Sequence, residues 1–293
     1  MSPTADAAHA PHLPDNLRLG RVHLTVSTLD GSIAFYERAL GLQVHDRDGA
    51  VATMGAGGED LLVLVEEPGA ASGGRHAGLY HYALLFETRR DLARAVKRLA
   101  STQTRIEGAS DHGVSEAIYL RDPDDNGIEL YADRPRERWP PPRVAGERGE
   151  MFTIALDMED LMREIDGEAP RAQAGPGLVV GHLHLHVGDV EQGLAFYRDV
   201  LGFEVMVNLG SAAFVSAGGY HHHLGFNVWL GRDVKPRPAQ PAGLREWTVL
   251  LAARDEIAEV RARVAAAGLE VDAHRSGFLV RDPWQTAVAF AVG

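Results

Sequence analysis

GRVHLTVSTLDGSIAFYERALGLQV (residues 20–44) and GHLHLHVGDVEQGLAFYRDVLGFEV (181–205) are one pattern written twice. At a constant offset of 161, ten of the 25 positions are identical, among them His23 with His184, Phe35 with Phe196, Tyr36 with Tyr197 and Gly41 with Gly202. YLRDP at 119–123 matches LVRDP at 279–283 at an offset of 160. Near-equal offsets at both ends imply one duplicated domain. Within each copy a smaller unit recurs. Val22–Val26 alternates as a strand, Asp30–Ala39 has a helical period that Gly41 stops, and short strands follow at Leu42–Asp46, Val51–Met54 and Leu61–Glu66. The pattern then restarts, with a strand at Tyr80–Phe86, a helix at Arg89–Ala100 and strands at Glu116–Leu120 and Gly127–Tyr131. The expectation is an α+β fold of tandem βαβββ modules forming two paired-module, open-barrel domains, each enclosing a concave cavity. The boundaries are a disordered tail at 1–16, an N-terminal domain at 17–133, a linker at 134–178 with a short helix near Asp157–Asp166, and a C-terminal domain at 179–293.

The 293 residues suit two domains, with 45% hydrophobic and 24% charged side chains. With 29 basic and 41 acidic residues, the formal net charge of −12 argues against nucleic acid and anionic membrane surfaces as partners. No apolar run reaches the roughly 18–20 residues that span a bilayer. The first residues lack a basic stretch followed by an apolar one, so no signal peptide is expected. Cysteine is absent, which excludes disulfides, thiolate metal sites and cysteine nucleophiles and makes the cytoplasm the expected compartment. Any metal must be held by nitrogen and oxygen, and 14 histidines are available.

Strand alternation says which side chains look into a cavity. Val22, Leu24 and Val26 form an apolar face, which turns His23 and Thr25 the other way. His81 lies on the matching first strand of the next unit, and Glu129 faces opposite to Ile128 and Leu130. Two imidazoles and a carboxylate on rigid strands make a facial metal site with open positions. The alternative is that His23 and His81 merely line the barrel and Glu129 makes a local hydrogen bond. In the second copy His182, His184 and His186 share one face, and the YHHH segment adds His221, His222 and His223. These are read as a hydrogen-bonded polar cluster, a second all-histidine metal site being the other option.

GLYHYALLF, SDHGVSEAIYLRDPDDNGIELYADRPRERW and GGYHHHLGFNVW, together with the repeated segments above, resemble the vicinal oxygen chelate (glyoxalase/bleomycin resistance/dioxygenase) superfamily, and within it the catechol-2,3-dioxygenase-like extradiol group. The resemblance spans about residues 17–293. It implies metal ligands at His23, His81 and Glu129 in the N-terminal domain. It also implies catalytic roles for His112 and Tyr119, which precede Glu129 by the extradiol spacing (119 − 112 = 7; 129 − 119 = 10). Read without the resemblance, His112 is a surface loop histidine and Tyr119 a buried aromatic. Asp125 stands where the pattern has a turn glycine, a position Asp tolerates. No acid–base histidine lies near Glu66–Pro68, where relatives carry one. The second copy has Trp247 and Ala289 at the positions of His81 and Glu129, so its site is expected to be degenerate.

The function implied is an Fe(II)-dependent extradiol dioxygenase acting on a small aromatic diol with O2, with Mn or Zn as other metals for the same donors and a homodimer as the default assembly. The alternatives are a non-redox glyoxalase-like lyase or isomerase, which commonly has a fourth protein ligand, and a drug-binding resistance protein without a metal. No GxSxG or GxxxxGK[ST] motif supports a serine triad or a nucleotide loop.

Overall fold

The computed structural model describes residues 12–70, 74–141, 150–236, 242–274 and 277–293. Most of the expected tail lies outside these. Of its described part, Leu13 is fully buried and its N–H donates to Gly202 O at 2.9 Å.

Four βαβββ modules follow one another. The first is β1 (Arg18–Val26), α1 (Leu29–Phe35), β2 (Gln43–Asp48), β3 (Val51–Gly55) and β4 (Asp60–Glu66). The second is β5 (Gly78–Phe86), α2 (Arg89–Ser101), β6 (Gly108–Asp111), β7 (Ser115–Arg121) and β8 (Gly127–Asp133). After β9 (Ile154–Ala155) and α3 (Met158–Arg163), the third is β10 (Val179–His186), α4 (Val190–Leu194), β11 (Glu204–Asn208), β12 (Ala212–Ser216) and β13 (Leu224–Asn227). The fourth is β14 (Gly243–Leu251), α5 (Arg254–Ala266), β15 (Asp272–His274), β16 (Gly277–Arg281) and β17 (Ala287–Val292).

The modules pair across the repeat and not within each copy. One sheet runs β15-β16-β17-β14-β1-β4-β3-β2, joining the fourth module to the first. The other runs β11-β12-β13-β10-β5-β8-β7-β6-β9, joining the third to the second. The joints are antiparallel ladders: β1 on β14, with Val22 opposite Trp247, and β5 on β10, with His81 opposite His184. Neither sheet closes into a barrel. The expectation that modules one and two share a cavity is therefore corrected. Periodicity defines the units, but the two first strands carry the same alternation, so nothing local says which edge each one joins.

The duplicated FY and RDP segments meet in space. α1 runs directly into a π-helical turn (Tyr36–Leu40) that ends at Gly41, φ 69°. α4 likewise continues into a π-helical turn, Ala195–Val200. Tyr36 and Tyr197 sit in these turns, fully buried. Tyr36 OH donates to Asp122 Oδ2 at 2.7 Å, and Tyr197 OH donates to Asp282 Oδ2 at 2.8 Å. The two repeated segments are thus two halves of one contact, tying module one to two and module three to four. In each RDP turn a residue takes a left-handed conformation, Asp125 at φ 67° and Gln285 at φ 69°.

The linker helix α3 is capped by Asp157, which accepts from Asp160 N at 2.9 Å. It docks on α2, where Arg89 donates to Asp160 at 2.7 Å and to Glu164 at 3.0 Å. Residues 142–149 of the linker lie outside the described residues. No described helix is long and apolar enough to cross a membrane.

Candidate metal centre

The register of the nine-stranded sheet builds the site. β8 runs parallel to β5 with Glu129 beside Ala83, and β10 runs antiparallel on the other side with His182 beside the same residue. Ala83 is fully buried and small, so the carboxylate and the imidazole flank it on one face. His81, two residues earlier on that face, completes the group. His81 Nε2 lies 3.0 Å and His182 Nε2 3.2 Å from the same oxygen, Glu129 Oε2. Among the described residues these three form the one group of His, Asp or Glu donors close enough together to hold a metal ion.

The electrostatics match that use. Burial pushes Glu129 up, but the His182 and His81 imidazoles beside it outweigh this and hold it well below the usual carboxylate range. Burial lowers His182 to about 4 against the partial opposition of Glu129. An ionised carboxylate and a neutral imidazole are the protonation states a metal requires. His81 Nε2 is buried and, despite its short distance to Glu129, makes no hydrogen bond of acceptable alignment. A buried nitrogen aimed at a carboxylate without bonding it is what a cation between the two would satisfy. The donor set therefore fits a divalent metal of the kind held by two histidines and one carboxylate.

A cavity of about 520 Å³ opens from this group. His112 and Tyr119 stand on its wall, joined by a 2.7 Å bond between His112 Nε2 and Tyr119 OH. His112 Nδ1 lies 3.0 Å from the Phe152 carbonyl, so Nδ1 donates there and Nε2 accepts from Tyr119. Burial, reinforced by the charge of Glu129, pushes the Tyr119 hydroxyl far above its ordinary range and keeps it protonated. Trp229 and Leu209 form an apolar rim, 55% and 61% exposed.

The structure brings His81, Glu129, His112 and Tyr119 together as the sequence suggested, but not His23. His23 lies in the eight-stranded sheet, with Nδ1 3.5 Å from Glu246 Oε1, and His274 approaches the same oxygen at 3.2 Å. Its assignment as a ligand is corrected, because β1 pairs with β14 and β4 while β5 pairs with β10 and β8, which leaves His23 outside the group that His81 and Glu129 form. The place goes to His182. Sequence reasoning passed it over because the offset of 161 aligns His184 with His23 and sets His182 against Arg21. The HxHxH pattern on one strand face was the available signal. His184 is instead occupied, its Nε2 accepting from Asn227 Nδ2 at 2.8 Å. The third module is thus part of the centre, and the second copy is degenerate only in its fourth module, where Trp247 and Ala289 are buried. The other residue missed is His222. It lines the cavity with its ring centroid 4.1 Å from that of His182, and burial lowers its pKa well below the usual histidine value. Only His222 of the YHHH segment reaches the cavity wall.

Fold and centre together define a vicinal-oxygen-chelate protein: tandem βαβββ modules with a buried histidine–carboxylate group in a paired sheet. The chain belongs to the Glyoxalase/Bleomycin resistance protein/Dioxygenase superfamily, whose family model matches residues 18–130 and 179–289. It is 41% identical over 274 residues to the catechol-2,3-dioxygenase of Bacillus subtilis (strain 168), covering 92% of this chain and 95% of that one. Two crystal structures share the fold at low identity. One, from Bacillus subtilis subsp. subtilis str. 168, has a TM-score of 0.66 at 13% identity, covering 96% of this chain and 86% of that chain. The other, glyoxalase I from Zea mays, has a TM-score of 0.56 at 14% identity, covering 94% of this chain and 92% of that chain.

Proposed function

We propose that this protein is a metal-dependent extradiol-type dioxygenase that opens a catecholic aromatic ring with O2. The observation that carries the reading is the His81–Glu129–His182 group at the base of a cavity whose walls hold His112, Tyr119 and His222. The 41% identity to a protein named catechol-2,3-dioxygenase supports it. His81, Glu129 and His182 would hold the ion, and Fe(II) is the ion we assign, with Mn or Zn able to use the same donors. When bound, such an ion supplies Lewis acidity that makes a diol hydroxyl easier to deprotonate.

The chain's own residues do the rest. His222, neutral by burial, accepts the proton that the diol gives up. Tyr119, kept protonated by its burial, stabilises negative charge developing on the substrate oxygens by turning its single O–H from His112 Nε2 toward the cavity. Trp229, Phe214 and Leu209 provide apolar surface for the ring. The lyase alternative calls for a fourth donor. The position equivalent to Glu129 in the third module is Asn227 (129 is two beyond Gly127, the partner of His81; 227 is two beyond Gly225, the partner of His184), and its amide is committed to His184.

The test is anaerobic reconstitution with Fe(II), followed by oxygen uptake and near-visible absorbance with a small panel of catechols. Stoichiometric uptake with a yellow ring-opened product, abolished in Glu129→Ala, is expected. Tight iron binding without uptake on any catechol would refute the dioxygenase reading and favour the lyase.

A further inference from the structure

Behind His222 lies a chain of polar groups that the proposed chemistry does not use. His221 Nδ1 and His222 Nδ1 are 2.7 Å apart. On the far side, His221 Nε2 lies 2.9 Å from Asp133 Oδ1. Asp133 is the last residue of β8, the strand that also carries Glu129. Tyr220 OH donates to the same Asp133 oxygen at 3.3 Å and is itself bonded to Tyr131 OH at 2.8 Å, which fixes the carboxylate in place. His221 and His222 are both buried, and His221 is not on the cavity wall.

We propose that Asp133 and His221 are positioning residues that hold His222 in a single tautomer, with Nδ1 protonated and the bare Nε2 presented to the cavity. Donors and acceptors must alternate along the chain. A carboxylate only accepts, so His221 Nε2 carries a proton and donates to Asp133. With its proton on Nε2, His221 leaves the other nitrogen, Nδ1, as the acceptor. A 2.7 Å contact between two Nδ1 atoms needs one donor, and that donor is His222. With its proton on Nδ1, His222 has its lone pair left on Nε2. Without this chain a buried imidazole with two free nitrogens would divide between tautomers, and only one presents a base to the diol. The inference rests on the dioxygenase reading for its consequence and not for its geometry.

The measurement is long-range 1H–15N correlation NMR on histidine-labelled, metal-free full-length protein, with His222 assigned by its loss in His222→Gln. A protonated Nδ1 and bare Nε2 on His222 are expected in the wild type. A His222 that carries its proton on Nε2 overturns the proposal whether or not the protein turns over catechols. In the iron-loaded protein, His221→Phe, which keeps a ring but removes the acceptor, is expected to lower kcat by about 10–100-fold with little change in KM, the usual cost of losing an outer partner. His221→Asn, which restores an acceptor, is expected to recover part of that loss. Equal kcat in His221→Phe and wild type at equal iron content would also overturn the proposal. A wild type inactive on every catechol refutes the dioxygenase reading alone, and the NMR result then decides the tautomer.

Discussion

Glu129 Oε2 is shared by two histidines that come from opposite halves of the chain, and His23 stands in the other sheet. The consequence is a sharp difference between single substitutions. His81→Ala, Glu129→Ala and His182→Ala each remove one of three donors and should weaken metal binding by more than ~100-fold, beyond the 10–100-fold typical of an outer partner. His23→Ala and His184→Ala should bind metal as the wild type does, because His23 faces Glu246 and the His184 Nε2 is taken by Asn227. Titration of the five variants with Fe(II) or Zn(II), read by metal analysis after desalting, checks this. Loss of binding in His23→Ala would restore the ligand set that the sequence suggested. At this scale the sequence was readable in part. Residue type and strand parity marked His81 and Glu129 from local information, whereas His112 and Tyr119 were marked only by the family resemblance. The choice between His23 and His182 depends on which strand lies beside β5, and no local pattern carries that.

The helix-to-π turns and the RDP turns act as paired elements, and the Tyr–Asp bonds between them are testable through stability. Asp282 is buried at 2% exposure, and its carboxylate accepts from Trp284 N at 2.9 Å, Thr286 N at 2.7 Å and Tyr197 OH at 2.8 Å. Burial raises its pKa to about 6 despite these donors. The folded state therefore holds a proton that the unfolded chain, near the ordinary value of about 3.9, releases. Stability from this group is fully present below about pH 4 and is lost as pH rises through about 6, by roughly 3 kcal/mol at two pH units of displacement. Asp282→Asn, which can keep the two backbone bonds, should remove that slope. Urea unfolding at pH 4.5 and 7 should show the variant gaining on the wild type as pH rises, and a difference independent of pH would contradict the account. Tyr197→Phe deletes one donor to a buried carboxylate and should cost about 1–3 kcal/mol at pH 7. The repeat made these residues visible in the sequence, but their role was not, because the two partners lie 85 positions apart and only the packing of one module's helix on the next module's turn joins them.

Across the whole molecule, the two halves of the chain are interlocked and not strung in series. β1 and β5 each take one neighbour from their own half and one from the other, β14 and β10. The linker is part of the first half: Ala174 N donates to Gly41 O at 3.0 Å, and Arg98 of α2 donates to Arg171 O at 3.0 Å. A cut between residues 178 and 179 would expose the edges of β1 and β5 on one fragment and of β10 and β14 on the other, four unpaired edges of the kind that drive association. It would also divide the metal centre, leaving His81 and Glu129 on one fragment and His182 on the other. The intact protein should accordingly unfold in one calorimetric transition, since neither half keeps a complete sheet. Fragments 1–178 and 179–293 should each be aggregation-prone and bind metal only weakly. Co-refolded, they should associate and recover one tightly held metal ion per pair, with His182→Ala in the second fragment abolishing the recovery. The opposite result, tight metal binding by fragment 1–178 alone, would mean that modules one and two can enclose a site by themselves through His23, and that the crossed pairing is not what builds the centre.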